Sequence, residues 1–232
     1  MTSDLSRRHF LGGAAAAVAA AGAVPAVSSQ DAPKGIKILG IAASLRKGKT
    51  TAAGVQACLE AARAVAPDRI ETELVELADL SIPAGPAAGI PLAAGQADDF
   101  PKVAEKMADP RVAGIIVGSP VYMGTMSSLC KAFLERCIAH RKNNFALSGK
   151  VAGAIAVGGA RHGGQERTIQ EILAGLVCHE MVVVGESRPT AHSGGTLWNN
   201  WKDDITQDEV GMATVRNLGK RVAEVALRLA AR

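Results

Sequence analysis

The sequence predicts a three-layer α/β fold: a five-stranded parallel sheet with helices on both faces. Two observations carry that expectation. Short apolar runs alternate with longer amphipathic runs along most of the chain, which is the signature of βαβ crossovers. Two of the apolar runs, residues 112–118 (VAGIIVG) and 151–157 (VAGAIAV), are continuous rather than alternating, as strands are when helices cover them on both sides.

The elements follow in order. Residues 36–41 form a strand and 51–66 a helix. In residues 70–77, Ile70, Thr72 and Leu74 share one face, the period of a second strand. Residues 96–108 form a helix, 112–118 the third strand, and 127–140 a helix with Leu129, Phe133 and Cys137 on one stripe. The fourth strand is 151–157, the next helix 164–178 and the fifth strand 181–184. Val215, Leu218, Val222, Val225 and Leu229 recur at helical spacing in a closing helix over 208–231. The segment 84–95 (AGPAAGIPLAAG) sits inside this alternation, so it reads as a loop within one domain over 36–232 and not as a linker.

Residues 1–30 read as a leader and linker outside that domain. Ser6-Arg7-Arg8-His9-Phe10-Leu11 precedes an Ala/Gly-rich apolar run ending at Val24, then Pro25-Ala26-Val27-Ser28. Paired arginines, a weakly apolar stretch and small residues resemble a twin-arginine export signal, which places the protein in the periplasm or otherwise outside the cytoplasm. The apolar run, about 15 residues, is shorter than the roughly 20 a membrane span needs. Cleavage after Ala23, Ala26 or Ser28 fits equally well.

Composition excludes other classes. The formal charge is only +4 and aromatics are 3% of residues, so neither an electrostatic track nor a stacking platform for nucleic acid is present. Arg136, Arg141 and Lys142 read as a solvated helix end. The four cysteines, Cys58, Cys130, Cys137 and Cys178, contain no C-x-x-C pair, so they read as buried, unpaired thiols. On one helix Cys130 and Cys137 would lie about 10.5 Å apart, beyond the roughly 7 Å limit for a disulfide.

In an open parallel sheet, ligands bind beyond the carboxyl ends of the strands. Three unusual loops stand there. The first, Ala43-Ser44-Leu45-Arg46-Lys47-Gly48-Lys49-Thr50-Thr51, runs from a strand into a helix start, where free amides and the helix dipole favour an anion. Ser44, Thr50 and Thr51 add hydroxyls, and Arg46 and Lys49 add charge. The loop nearly matches G-x-x-x-x-G-K-[ST], but a triphosphate enzyme also needs a magnesium-binding carboxylate at another strand end. Strands three and four end Gly118-Ser119-Pro120 and Gly158-Gly159. A lone phosphate monoester therefore fits better, with a P-loop phosphotransferase as a remote rival. The loop also lacks the G-x-G-x-x-G turn that holds a dinucleotide pyrophosphate, so one terminal phosphate fits better than a dinucleotide.

The second loop is Gly118-Ser119-Pro120-Val121-Tyr122-Met123-Gly124-Thr125. Here Pro120 should end the strand by removing a donor, and Gly124 should permit a positive φ or a close ligand. Tyr122, the chain's single tyrosine, is a candidate ligand wall. The third, Gly158-Gly159-Ala160-Arg161-His162-Gly163-Gly164-Gln165-Glu166, offers bare backbone to a planar ligand. A further Gly-rich loop, residues 190–201, carries His192, Trp198 and Trp201, and its tryptophans either cover a ligand or anchor the loop.

Together these loops resemble the NAD(P)H-dependent FMN reductase family of the flavodoxin-like fold, including its iron–sulfur flavoprotein branch. Ser44, Arg46 and Thr51 match that family's S-P-R-x-x-x-N-T phosphate loop, with Leu45 for Pro and Thr50 for Asn. "GSPVYMGTMSSLCKAFLER" and "GGARHGGQE" match its next two loops over a resemblance spanning about residues 36–230. The resemblance implies bound FMN, held by Ser44, Arg46, Lys49, Thr50, Thr51, Pro120, Val121, Tyr122, Met123, Gly124, Gly159, Ala160, Arg161, Gly163 and Gly164. It also implies NAD(P)H as donor, a quinone or other acceptor, and a homo-oligomer (dimer or tetramer) with the 84–95 loop in the contact. No catalytic side chain is required, since the flavin carries the redox chemistry. His162 and His192 are either proton shuttles or exposed bystanders.

Two features depart from the pattern. The iron–sulfur branch has a cysteine cluster after its second strand, whereas residues 78–100 here contain no cysteine, so no iron–sulfur cluster is expected. Export would also remove the protein from the cytoplasmic NAD(P)H supply, which leaves a non-catalytic electron carrier as the alternative to an enzyme.

Overall fold

The computed structural model of the protein describes residues 35–231. The export signal, with Arg7 and Arg8, lies outside the described residues. Four long elements open the chain: β1 (Ile36–Ala42), α1 (Thr50–Arg63), β2 (Ile70–Glu76) and α2 (Phe100–Ala108). Then come β3 (Val112–Tyr122), β4 (Thr125–Met126), α3 (Ser128–Arg136), α4 (Ile138–Lys142) and β5 (Val151–Gly158). The chain closes with α5 (Gln165–Val177), β6 (Val182–Val183), β7 (Gly195–Trp198) and α6 (Glu209–Ala230).

The parallel strands run in the order β2-β1-β3-β5-β6, with β7 also beside β5. Helices α1 and α6 cover one face through Val55, Leu59, Leu218 and Val222. Helices α2 to α5 cover the other through Phe100, Phe133, Ile169 and Ile172. Every residue of β5 is buried, which is why its sequence shows no alternation.

The structure corrects four expectations. First, the fifth sheet position is split. β6 pairs with Val151 and Ala152, and after an excursion β7 pairs with residues 155–158 of the same strand. Residues 195–198, expected in a loop, are thus a strand. They open on glycine and bury only Leu197 deeply among their side chains, so neither an apolar run nor an alternation marks them. Second, β3 does not stop at Pro120. It continues to Tyr122 because Val121 and Tyr122 fold back onto Met126 and Thr125 as a hairpin.

Third, the helix expected over 127–140 breaks at Cys137 into α3 and α4. Fourth, Arg136 is buried rather than solvated. Its guanidinium grips Asp98 in a fork (3.0 and 2.7 Å), donates to the Pro83 carbonyl at 2.9 Å, and lies 4.7 Å from the centre of the Phe100 ring. The arginine thereby clips the long 81–99 connection to α3, with the bidentate geometry a buried ion pair requires.

A buried histidine on the same face makes the fold acid-sensitive. His140 packs edge-on against Phe100, and burial, followed by the nearby His179 and Lys150 charges, lowers its pKa from 6.5 to about 4. Its Nε2 has no hydrogen-bond partner. The folded protein holds this ring neutral, so the unfolded chain binds the extra proton. That contribution to stability is whole above pH 6.5 and disappears as pH falls toward about 4, a loss of about 3 kcal/mol. Urea denaturation at pH 7.0 and 4.5 should show this loss, and His140→Gln should flatten the pH slope. An equally steep slope in the variant would assign the acid sensitivity elsewhere.

Candidate functional site

Strands β1, β3 and β5 deliver the three loops to one edge of the sheet. The Ala43 amide donates to the Gly118 carbonyl at 2.8 Å. The buried Ser127 hydroxyl donates to Ala43 O (2.7 Å) and accepts from Cys130 N (3.1 Å), capping α3. Ser119 Oγ accepts from Ser127 N at 3.0 Å. Two buried serines thus lock the first loop to the second. Between the loops lies a cavity of about 520 Å³, within the range of small-ligand sites.

At its polar end is the first loop. Thr50 and Arg46 line the cavity. Lys49 is the residue before α1, and no side chain caps that helix start, so its amides remain open to an anion. Ser44 is buried and accepts from Arg46 N at 3.1 Å, fixing the loop's turn. Thr51 is buried, with its methyl packed toward Gly118 of β3, and it is not among the residues lining the cavity. The Gly48 amide donates to Glu76 at the end of β2 (2.7 Å).

The β3–β4 hairpin forms one wall. Pro120, Val121, Tyr122, Met123 and Gly124 all line the cavity. Met123 (φ 50°) and Gly124 (φ 76°) make successive left-handed residues, the geometry of a type I′ hairpin turn. Holding a methionine there is costly, and its side chain is completely exposed at the rim. Tyr122 is half-exposed beside it.

The glycine-rich loop forms the floor. Val157, Gly158, Gly159, Ala160 and Gly163 line the cavity. Gln165 staples this loop: its amide nitrogen donates to Ala160 O (2.7 Å) and Leu197 O (3.2 Å), and its oxygen accepts from Gly163 N (2.9 Å). Gly164 (φ 109°) sits so close to the hairpin tip that a Cβ would stand 2.9 Å from Gly124 backbone atoms.

Several residues fall elsewhere or were missed. Arg161 turns away from the cavity, its guanidinium 4.5 Å from the centre of the half-buried Trp198 ring and 3.6 Å from Asp208. His162 is exposed. His192 lies between β6 and β7 with Nδ1 2.7 Å from the buried Glu186 carboxylate, outside the cavity lining. Asn199, Trp201 and Asp203 also line the cavity. Of these, sequence reasoning weighed Trp201 and passed over Asn199 and Asp203. The Arg46 guanidinium beside Asp203 holds that carboxyl below the usual carboxylate range. A larger hollow of about 970 Å³ between α3–α4 and α5 contains no phosphate loop and is lined by Leu134, Ile138, Ala174 and Gly175; the chemistry-bearing loops meet at the smaller one.

These features define an α/β protein with a phosphate-type anion site at the carboxyl edge of its sheet. Comparison with known proteins identifies the class as flavin-dependent oxidoreductases. The family described as NADPH-dependent FMN reductase matches residues 36–195. The twin-arginine translocation signal matches residues 4–25. An iron–sulfur flavoprotein of Methanocaldococcus jannaschii is 41% identical over 195 residues, covering 82% of this chain and 97% of the relative. One from Methanosarcina thermophila is 39% identical over 195 residues, covering 82% and 95%. An NAD(P)H dehydrogenase (quinone) of Archaeoglobus fulgidus is 33% identical over 119 residues, covering 50% and 60%. Among solved structures, a flavone reductase aligns with TM-score 0.59 at 20% identity, covering 83% of this chain and 63% of that one. A WrbA-like flavodoxin from Agrobacterium tumefaciens aligns at 0.56 and 18%, covering 84% and 98%.

The chain belongs to the NADPH-dependent FMN reductase family. It is a flavin-dependent oxidoreductase exported by the twin-arginine route. Among the described residues no helix is long and apolar enough to cross a membrane.

The residues fit FMN: an uncapped helix start with two cations at one end of the cavity, bare glycine backbone at the other. They do not fit the iron–sulfur cluster in the relatives' names, which needs several converging thiolates. Cys58 is buried on the α1 side of the sheet, while Cys130 and Cys137 are buried on the α3 side. Burial pushes the Cys130 thiol up to about 12 and the Cys58 and Cys137 thiols higher.

Gly164→Ala tests the assembly of the loops. A Cβ at this left-handed position meets the hairpin backbone, so the variant should lose about 1–3 kcal/mol of stability and retain less flavin on purification. Thermal denaturation and flavin absorbance report both effects.

Proposed function

We propose that the chain uses FMN to pass electrons from a reduced donor, NAD(P)H or another small reductant, to a quinone or comparable acceptor. The observation that carries this reading is the single cavity that joins an anion site to a floor of glycine-rich backbone. When bound, FMN would supply hydride and electron transfer. The chain's own residues would bind and orient it. Arg46, Lys49, Thr50 and the first amides of α1 would hold the phosphate. The 158–163 backbone would approach the ring once the Trp201 indole, which lies over Gly159, moves aside. Tyr122, Met123 and Trp201 would limit water at the open edge, and the donor and acceptor would approach there.

The relative named NAD(P)H dehydrogenase (quinone) supports a quinone acceptor. Export argues against cytoplasmic NAD(P)H as the working donor, so NAD(P)H oxidation should be modest and a different reductant faster. A homo-oligomer is part of the proposal: Ile90 and Leu92 are exposed on the 84–95 connection, and light scattering would give the mass in solution.

Flavin released by heat should be FMN by mass spectrometry; FAD as the main species would overturn the reading. Arg46→Ala should weaken FMN binding by about 1.5–3 kcal/mol, the range for one charge-assisted hydrogen bond. Unchanged affinity would remove Arg46 from the phosphate site. Steady-state assays with NADPH and a soluble quinone would then rank donors and acceptors.

A further inference from the structure

The cations of the first loop already hold an anion, and it belongs to the chain itself. Asp203 places its two carboxylate oxygens 2.7 and 2.9 Å from the same Arg46 guanidinium nitrogen, with Lys49 Nζ 3.6 Å away. Two residues earlier, the Trp201 ring lies over Gly159, so close that a Cβ there would stand 2.6 Å from the ring. Trp201 is nevertheless 82% exposed. A single short strap therefore touches both ends of the cavity, the anion end through Asp203 and the bare-backbone floor through Trp201.

The strap has little of its own to hold it in place. Asn200, Trp201 and Asp203 have φ of 47°, 61° and 51°, left-handed values that side chains other than glycine adopt reluctantly. At its root Asn199 N donates to Gly158 O at 3.0 Å; its other polar ties are local, Lys202 N to Asn199 O at 2.9 Å and Trp201 N to Asn199 Oδ1 at 3.0 Å. The contact from Asp203 to Arg46 and Lys49 is what joins it to the first loop.

We propose that Asp203 is a built-in competitor for the phosphate site, setting the affinity for FMN and the margin by which FMN is preferred over riboflavin. The proposal rests on the flavin reading above. A phosphate monoester carries a charge of about −1.5 to −2 near neutral pH and three acceptor oxygens, whereas Asp203 brings one charge and two oxygens. Phosphate therefore wins the cations, but each binding event must first break the Asp203 contacts and then move that carboxylate away from a like charge. Riboflavin has no phosphate and would leave Asp203 on Arg46 and Lys49. The aspartate thus taxes one ligand and not the other.

The test is equilibrium dialysis of the full-length protein and of Asp203→Asn against FMN and, separately, riboflavin. Asparagine keeps the shape, and position 203 is exposed, so the melting temperature should hold. The variant should bind FMN roughly three- to tenfold more tightly at low ionic strength, the scale of an exposed ion pair plus a removed like charge. The gain should shrink in 0.5 M salt, because such charges are screened. Riboflavin affinity should stay within about twofold. Equal or weaker FMN binding by the variant, with the wild type still binding FMN, would overturn the role of Asp203 and leave the flavin reading standing. A parallel gain for FMN and riboflavin would also overturn it, since the aspartate would then act on the strap and not on the phosphate. Failure of both proteins to take up either flavin would sink the flavin reading, and this proposal with it.

Discussion

The parallel ladder of β1, β3 and β5 is the constraint on which the rest depends. Its register sets Ala42 beside Gly118 and Pro120 beside Val157. Because these strands point the same way, the chain leaves the sheet at one edge each time it finishes a strand. A helix start, a hairpin and a glycine-rich turn, remote from one another in sequence, are thereby gathered around one cavity. The overrun of β3 past Pro120 turns an edge into a wall, and the buried serines at 119 and 127 fix that wall to the first loop.

Against its relatives, the chain keeps the frame and changes one fitting. The iron–sulfur flavoproteins of the two archaea align over nearly their whole length. Three of the thiols here are instead divided between the two core layers, while Cys178, expected to be buried, is exposed. The connection between β2 and α2, which contains no cysteine, is held by the Arg136 fork on Asp98 and the Pro83 carbonyl. An ion pair that stays buried needs both partners, so a segment with no cysteine still has a fixed course.

Much of this was legible in the sequence because its cause is local. Continuous apolar runs announce doubly covered strands, and the stripe of α6 announces a helix with one buried face. The three loops were visible in the sequence because their glycine, proline and hydroxyl residues, each ordinary in a turn, recur at the ends of three apolar or strand-like runs. What escaped depends on partners distant in the chain. Pro120 reads as a strand end until Val121 and Tyr122 find Met126 and Thr125. Arg136 looks like one more surface cation until Asp98 folds over it. Nothing near Asp203 signals that it faces Arg46, because 157 residues separate them. At Thr51 a hydroxyl and a methyl share one side chain, and only packing shows that the methyl faces β3.

The chain has just two tryptophans, and their settings are opposite. Trp198 stands in a sheet strand with a guanidinium against its ring, while Trp201 stands almost wholly in solvent on the rim of the cavity. Indole emission overlaps the absorbance of oxidised flavin, so a ring at that rim is an optical antenna for whatever fills the space beneath it. The protein therefore carries an intrinsic reporter of occupancy. Its light should dim by energy transfer when the cavity fills with a yellow ligand, with no label attached and no sequence change.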